Sequence, residues 1–116
     1  MAKILIADDS QFMRGILKNI LQKNGHRVID AKDGSEAIEK AKKENPDLIL
    51  LDIIMPGLDG LAVLKRIGAS FDIVMVTAIG QEEMVKRAMA LGAKDFIVKP
   101  FNNRLVADTV NKFVGR

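Results

Sequence analysis

Polar side chains that could form a phosphate site follow four short apolar runs in the sequence. Asp8 and Asp9 follow the first run, Asp52 the third, Thr77 the fourth and Lys99 the fifth. If these runs are parallel strands, their carboxyl ends share one edge, where open α/β sheets bind ligands. Three carboxylates at one place repel one another unless another charge offsets them. A divalent cation together with a phosphoryl group would suit this combination, so the pattern indicates an aspartate that accepts a phosphoryl group.

The elements that would position these residues alternate between strand-like and helix-like segments. Five short runs rich in Ile, Val and Leu are almost continuously apolar, which is typical of strands covered on both faces in a parallel sheet. A helical stripe follows each run, and the stop signals include Gly25 and Gly92. Right-handed crossovers put such helices on both sides of the sheet, which predicts one (βα)5 α/β domain over residues 1–116. The predicted strands are 4–7, 28–31, 48–51, 73–76 and 96–98.

Length and composition fit a small globular domain. The 116 residues are 48% hydrophobic and 28% charged, which allows one core and excludes a disordered chain. No apolar run reaches the ~20 residues of a membrane helix and the start does not match a signal peptide, so we expect a cytoplasmic protein without a membrane partner. The absence of cysteine excludes disulfides, and the net charge of +3 is dispersed, which disfavours direct binding of nucleic acid. The single histidine, His26, is assigned to a loop and given no role.

Longer motifs around the polar residues resemble the receiver domains of two-component signalling. Asp-Asp-Ser-Gln-Phe-Met-Arg begins at Asp8, and Leu-Leu-Asp-Ile-Ile-Met-Pro-Gly-Leu-Asp-Gly surrounds Asp52. Val-Thr-Ala-Ile-Gly-Gln-Glu-Glu contains Thr77, and in Ala-Lys-Asp-Phe-Ile-Val-Lys-Pro-Phe the pair Lys99 and Pro100 resembles the cis-proline turn of the family. The motifs are similar to those of chemotaxis-type and sporulation-type receivers and cover essentially the whole chain. They imply a doubly wound, five-stranded parallel sheet of the flavodoxin-like, CheY-like type, with strand order 2-1-3-4-5.

The resemblance also implies a role for each charged residue of the site. Asp52 would be the phosphoryl acceptor, because a carboxylate can act as a nucleophile and form an acyl phosphate. Asp9, Asp52 and the backbone carbonyl of Ile54 would bind Mg²⁺, and Asp8 would act mainly through a bound water. Lys99 would neutralise charge on the transferring oxygens, which is most of what phosphoryl transfer requires from a protein.

A switch and an output surface are implied as well. The Thr77 hydroxyl would donate to a phosphoryl oxygen, and its inward movement would draw Phe96 after it. A histidine kinase would supply the phosphoryl group, and the domain would catalyse only its own phosphorylation and dephosphorylation rather than act as an enzyme on other substrates. An output protein would then bind the face formed by the fourth helix, the fifth strand and the fifth helix. The residues expected on that face are Met84, Arg87, Phe96, Arg104 and Asn111.

Two departures from the family pattern concern the third helix and the mouth of the site. The connection over residues 67–73 is several residues shorter than usual, so either the helix ends early at Gly68 or that edge is remodelled. Ile54 and Ile79 occupy positions, two residues after the acceptor and after the threonine, where many relatives carry polar side chains. Two apolar side chains offer an attacking water no hydrogen bond, so we expect slow self-dephosphorylation.

Three alternatives to a stand-alone, CheY-like response regulator remain open. A phosphorelay intermediate would dock a second histidine protein beside the site, around Gln11, Arg14 and Gly15. An isolated receiver domain of a DNA-binding regulator would fit the sporulation-type motifs, but the end of the chain at Arg116 leads us to expect no output domain. A metal-dependent phosphatase with an aspartyl intermediate usually has a second Asp two residues after its nucleophile, where this chain has Ile54.

Overall fold

The chain folds as five strand–helix units in succession, described over residues 1–115 by a computed structural model. The elements are β1 (Lys3–Ala7), α1 (Gln11–Lys23), β2 (Arg27–Ala31), α2 (Gly34–Glu44), β3 (Leu48–Leu51), α3 (Gly60–Ile67), β4 (Ile73–Thr77), α4 (Glu82–Ala90), β5 (Asp95–Val98) and α5 (Asn103–Phe113). Within the described residues, no helix has both the length and the apolar character needed to cross a bilayer.

The strands form one parallel sheet with the order β2-β1-β3-β4-β5. The predicted doubly wound arrangement and strand order are therefore confirmed. Alternate residues of β1 enter two separate cores: Ile4 and Ile6 pack with α1 and α5, while Leu5 and Ala7 pack with α2, α3 and α4. Because both faces are covered, the strands read as continuous apolar runs rather than alternating ones.

Side-chain caps begin four of the five helices, and α4 is the exception. At each capped start, a side-chain oxygen accepts the backbone N–H three residues later, which satisfies one of the free donors of the first turn. The Gln81 side chain makes no such bond at the start of α4, where Glu82 and Glu83 favour the helix only through its dipole. The capping residues are Ser10, Asp33, Asp59 and Asn102.

The connection after α3 matches one of the two predicted outcomes, because the helix ends at Ile67 and Gly68 caps it. The Gly68 N–H donates to the Leu64 carbonyl over 2.7 Å. A Cβ at position 68 would lie 2.4 Å from the Leu64 carbonyl oxygen and 3.3 Å from the Leu91 carbonyl oxygen. The glycine therefore lets the short helix end in close contact with the end of α4.

The helical spacing of apolar residues in the sequence predicts one buried stripe on α1, and this prediction is wrong at its first position. The predicted stripe is Phe12, Ile16, Leu17, Ile20 and Leu21. Phe12 is 78% exposed, and Met13 takes the inward position beside the core of α1 and α5. The buried side of α1 centres on Leu17 and Leu21, and Met13 lies one helical turn before Leu17, whereas Phe12 lies on the opposite side. Similarly, helical spacing places Met89 in the apolar stripe of α4 and Leu105 in that of α5, but both side chains are more than two-fifths exposed.

His26 is buried, although the sequence places it in a loop. The ring atom Nδ1 accepts the Ala2 N–H over 3.3 Å, and the main-chain N–H of His26 donates to the Leu21 carbonyl. The Nε2 atom is buried and has no hydrogen-bond partner in the part of the chain that the structure describes. His26 therefore helps to hold the end of α1 against the start of β1, a structural contact that no sequence signal indicated.

Candidate functional site

The structure brings the predicted polar residues together at the carboxyl edge of the sheet. Asp8 and Asp9 follow β1, Asp52 follows β3, Thr77 ends β4 and Lys99 follows β5. Asp8, Asp9 and Asp52 each place a carboxylate oxygen within 4.8 Å of the other two. Because β1 and β3 are adjacent strands, residues far apart in sequence meet here without any further loop structure.

Lys99 is the counter-charge of this cluster. Its Nζ donates to Asp8 Oδ2 over 2.7 Å and to Asp52 Oδ2 over 2.8 Å. Both carboxylates are buried, and the lysine side chain is mostly so. The Lys99 N–H donates to the Thr77 carbonyl over 2.8 Å, and the peptide bond between Lys99 and Pro100 is cis, as the motif indicates. Hydrogen bonds between full charges are among the strongest in proteins, so this triad holds three strand ends together.

Burial and ion pairing shift the pKa values of Asp8 and Lys99 away from their ordinary ranges. Burial raises the pKa of Asp8, and this effect exceeds the lowering caused by the Lys99 ammonium and the Ser10 N–H. Burial lowers the pKa of Lys99, but its hydrogen bonds to Asp52 and Asp8 outweigh that effect and leave the pKa raised. The ammonium is therefore firmly charged, while an ionised Asp8 is a cost to the fold.

The carboxylate oxygens of the cluster are suitable ligands for a hard cation. Asp9 is exposed, whereas Asp8 Oδ1 accepts the Ser10 N–H over 2.9 Å and Asp52 Oδ1 accepts the Ile54 N–H over 3.2 Å. A donor set made only of oxygens, partly open to solvent, is what Mg²⁺ and related ions prefer, because these ions retain several waters. The residues present therefore fit a divalent cation.

Gly60 also belongs to the site, although no motif or spacing in the sequence indicates a chemical role for it. Its N–H donates to the Ile53 carbonyl over 2.8 Å. A Cβ at this position would lie 2.1 Å from the Asp52 carbonyl oxygen and 2.6 Å from the Ile53 Cα. Only glycine lets the start of α3 rest directly on the main chain of the acceptor strand.

Thr77 and Phe96, the predicted switch residues, are diagonal neighbours on one face of the sheet. Thr77 pairs with Val98 and Met75 pairs with Phe96, so both lie on the side covered by α4. Thr77 is fully buried, and its Oγ1 accepts the Ile79 N–H over 3.4 Å. Phe96 is half-buried and packs against the core beneath α2, α3 and α4. Diagonal neighbours lie ~7–8 Å apart, within reach of an aromatic side chain.

Two residues expected on the face of α4, β5 and α5 lie elsewhere. Arg87 lines a groove between α3 and α4 together with Lys65 and Leu91. Arg104 lines the groove between α1 and α5, beside Lys23. Residues of one helix point outward in steps of about 100° each, so a small error in rotation moves a side chain to another face.

Other side chains occupy this surface, which we call the α4–β5–α5 face. Lys112 Nζ pairs with Asp95 Oδ2 over 3.2 Å, so this side of α5 faces β5. Leu105 lies on the same side of α5, seven residues before Lys112. Met89, two residues beyond Arg87, projects from the side of α4 opposite the α3 groove. The exposed apolar residues of the α4–β5–α5 face are Met89, Val98 and Leu105.

Known proteins share both the sequence and the fold of this chain. The family described as response regulator receiver domain matches residues 4–111. The chemotaxis protein CheY of Bacillus subtilis is 48% identical over 114 residues, which cover 95% of each chain. The sporulation initiation phosphotransferase F of the same organism is 36% identical over 115 residues, covering 97% of this chain and 93% of that one.

A solved structure gives the same result in three dimensions. In the CheX-CheY-BeF3-Mg+2 complex from Borrelia burgdorferi, one chain superposes with a TM-score of 0.92 and 38% identity, covering 98% of this chain and 90% of that one. Sequence and fold thus agree over nearly the whole length. The chain belongs to the response regulator receiver domains and is homologous to the chemotaxis CheY proteins, with a CheY-like role in two-component signalling.

Proposed function

We propose that the domain accepts a phosphoryl group from a histidine kinase on Asp52, with Mg²⁺ bound, and so switches the binding of an output protein. The observation that carries this proposal is the shared ammonium: Lys99 Nζ contacts Asp8 and Asp52 at 2.7 and 2.8 Å, inside a cluster of three carboxylates. We place this reaction in the cytoplasm and limit the catalysis to the domain's own phosphorylation and dephosphorylation.

Asp52 is the nucleophile in this proposal. One of its carboxylate oxygens forms a bond to phosphorus while the bond from phosphorus to the donor imidazole nitrogen breaks. The Lys99 ammonium, already 2.8 Å from Asp52, is placed to bind a phosphoryl oxygen. The Thr77 hydroxyl, at the end of the adjacent strand, donates to another oxygen. These groups stabilise charge and fix orientation, which is what this chemistry requires.

The proposed metal ion is Mg²⁺, held by Asp9, Asp52 and the Ile54 carbonyl, with Asp8 acting through water. Its chemistry there is to neutralise the negative charge of the carboxylates and the transferring oxygens. The oxygen-only donor set supports this assignment. The complex of BeF3 and Mg+2 with a CheY that is 38% identical also supports it, because the two chains share the fold over 98% of this one.

The proposed switch runs from Thr77 to the α4–β5–α5 face. A phosphoryl group on Asp52 would attract the Thr77 hydroxyl away from the Ile79 N–H, a weak bond of 3.4 Å. Phe96, on the diagonal, would then fill the space that the threonine leaves. Because α4 lacks a side-chain cap, its start is the element that can adjust at least cost. The output protein would read these changes on the α4–β5–α5 face.

The test of this proposal is labelling by a small phosphodonor. Incubation with acetyl phosphate and Mg²⁺ is expected to add one phosphoryl group, detected by intact mass spectrometry, and Asp52→Asn is expected to abolish it. The matched control is Asp59→Asn, which retains the cap on the Ala62 N–H and lies outside the cluster. Undiminished labelling of the Asp52 variant would overturn the assignment.

A second candidate function is that of a phosphorelay intermediate, which passes its phosphoryl group to another histidine protein. Its support is the 36% identity to a sporulation phosphotransferase and the exposed Phe12, which lies beside Gln11 in the first turn of α1. Transfer of label from phosphorylated domain to a histidine phosphotransferase would favour it over an output switch. Retention of the label, with binding to an output protein instead, would favour the CheY-like role.

A further inference from the structure

We propose that Arg14 is a positioning residue that fixes the peptide unit between Asp8 and Asp9 and so sets the affinity of the site for its cation. This inference rests on the proposed Mg²⁺ site. The sequence suggests Arg14 only as part of an external docking surface, yet its side chain is 16% exposed and points inward.

The contacts of the guanidinium carry the inference. Its Nη1 donates to the main-chain carbonyl of Asp8 over 2.7 Å, and its Nε donates to Asp30 Oδ2 over 3.0 Å. A guanidinium holds its donors in a rigid plane, so two simultaneous partners determine its orientation. Lysine, with one nitrogen on a flexible chain, cannot reproduce both contacts in that geometry.

The carbonyl that Arg14 binds belongs to the peptide unit joining two proposed cation ligands. On the other side of Asp8, its N–H donates to the Ala31 carbonyl of β2 over 3.1 Å. The main chain of Asp8 is therefore held at both ends. Rotation of the peptide unit after Asp8 would redirect the carboxylate of Asp9, which is exposed and has no side-chain hydrogen bond among the described residues to hold it.

Asp30 anchors the Arg14 side chain to a strand of the sheet. It lies on β2, the one strand of the described sheet whose carboxyl end supplies none of the polar site residues Asp8, Asp9, Asp52, Thr77 and Lys99. Lys40 of α2 donates to the Asp30 main-chain carbonyl over 2.6 Å, so the strand is held from the α2 side as well. Through Asp30 and Arg14, the edge strand thus supports the site without a side chain in it.

Positioning and simple charge predict opposite effects on cation binding. A nearby guanidinium repels a divalent cation, so its removal as a mere charge would tighten binding. Loss of positioning would weaken binding, and residues that orient metal ligands typically contribute 10–100-fold to affinity. A role confined to folding would change the stability while leaving the affinity of the folded protein unchanged.

The experiment is a Mg²⁺ titration followed by amide NMR shifts, because the chain has neither Trp nor Tyr to report binding by fluorescence. We expect Arg14→Lys and Arg14→Gln each to raise the Mg²⁺ dissociation constant by about tenfold. The matched control is Lys40→Met, which removes another cation that contacts Asp30 but touches neither Asp8 nor Asp9. The control is expected to lower the melting temperature and to keep the parent affinity.

The outcomes separate this inference from the proposed function. If the parent shows no Mg²⁺-dependent shifts at Asp9 and Asp52, the proposed metal site fails, and the role of Arg14 fails with it. If the parent binds Mg²⁺ and Arg14→Lys binds it equally well, the proposal that the planar guanidinium positions the site is wrong, while the proposed metal site stands. Tighter binding by Arg14→Gln would show that the guanidinium acts only through its charge, and it would overturn the inference too.

Discussion

Two regions of the domain are stabilised by different forces. One is the acidic edge, the carboxyl edge of the sheet with Asp8, Asp9, Asp52 and Lys99, and the other is the α4–β5–α5 face. At the acidic edge, the mostly buried Lys99 ammonium lies within 2.8 Å of two buried carboxylates, those of Asp8 and Asp52. On the α4–β5–α5 face, the ion pair of Lys112 and Asp95 spans 3.2 Å in partial contact with water, and apolar side chains lie half in solvent. The edge thus has strong ionic contacts between mostly buried groups, whereas the face has weaker contacts that water reaches.

Under the proposed function, this difference would allow the domain to act as a switch. A phosphoryl group on Asp52 would add charge beside a buried carboxylate and a mostly buried ammonium, so a local change there would have a large free energy. The face has few strong contacts to resist a shift of α4, and Phe96 is only half-buried, so the proposed switch would allow it to become more buried. Under the proposed function, a strong change at the acidic edge would therefore act on a weakly held surface, with Thr77 and Phe96 as the connection.

The largest expected effect comes from removing the shared ammonium with Lys99→Met. Two buried carboxylates would remain without a counter-charge, and breaking a buried ion pair in this way costs about 3–5 kcal/mol in the free energy of unfolding. Urea denaturation at neutral pH measures this loss. The same variant is expected to lose phosphorylation by acetyl phosphate.

Lys112→Met is the matched control on the other region. Its ion pair with Asp95 is solvent-exposed, so we expect a loss of less than about 1 kcal/mol. Equal losses in the two lysine variants would contradict the difference between the edge and the face.

Phe96→Ala tests the connection between the two regions. The side chain is half-buried against the core of α2, α3 and α4, so its truncation is expected to cost about 2 kcal/mol of stability. Labelling of Asp52 is expected to persist. In NMR spectra with a beryllofluoride phosphate analogue, amide shifts near Asp52 are expected to remain, while those of Met89 and Leu105 disappear. Loss of labelling itself would mean that Phe96 supports the site instead of reporting on it.

Residues at strand ends could be predicted from the sequence because chain order alone determines where they meet. Each buried parallel strand is a continuous apolar run, so its end is visible, and the next polar residue must lie at the shared edge. Asp8, Asp52, Thr77 and Lys99 were all found in this way, and the strand order followed from the family resemblance.

The sequence predicts which side of a helix is buried less accurately than it predicts strand ends, because burial depends on rotation about the helix axis. Phe12 and Met13 are adjacent apolar residues, and only packing against the sheet decides which one is buried. Arg87 and Arg104 were likewise assigned to a surface that they do not share. The contacts of Arg14 and Gly60 depend on distances between main-chain atoms, which no residue pattern encodes.

Asp8→Asn is expected to stabilise the protein when no metal is bound. Because burial raises the pKa of Asp8, the folded state binds its proton more tightly than the unfolded state does. The stability of the parent therefore falls as pH rises from the unfolded pKa through the folded pKa, and the variant avoids that loss. We expect a gain of about 0.5–2 kcal/mol at neutral pH, in the range of other stabilising substitutions at strained sites.

The pH dependence identifies the cause of that gain. Thermal unfolding measured from pH 3 to 8 in the presence of a chelator should show the two proteins converging below the unfolded pKa of the carboxyl, about 3.9. A constant difference at every pH would show that the asparagine acts through packing and not through the missing charge.

The smallest expected effect concerns the lifetime of the phosphoryl group at the mouth of the acidic edge. Ile54 is 54% exposed, so a polar residue there can reach solvent without disturbing the core. Ile54→Asn would offer the attacking water one hydrogen bond, worth about 0.5–1.5 kcal/mol, which corresponds to an increase of up to about tenfold in the rate of dephosphorylation. Decay of the labelled protein after removal of acetyl phosphate measures this rate. Ile54→Leu, which keeps an apolar side chain, is expected to decay like the parent; equal acceleration in both variants would show that shape, not polarity, controls access of water.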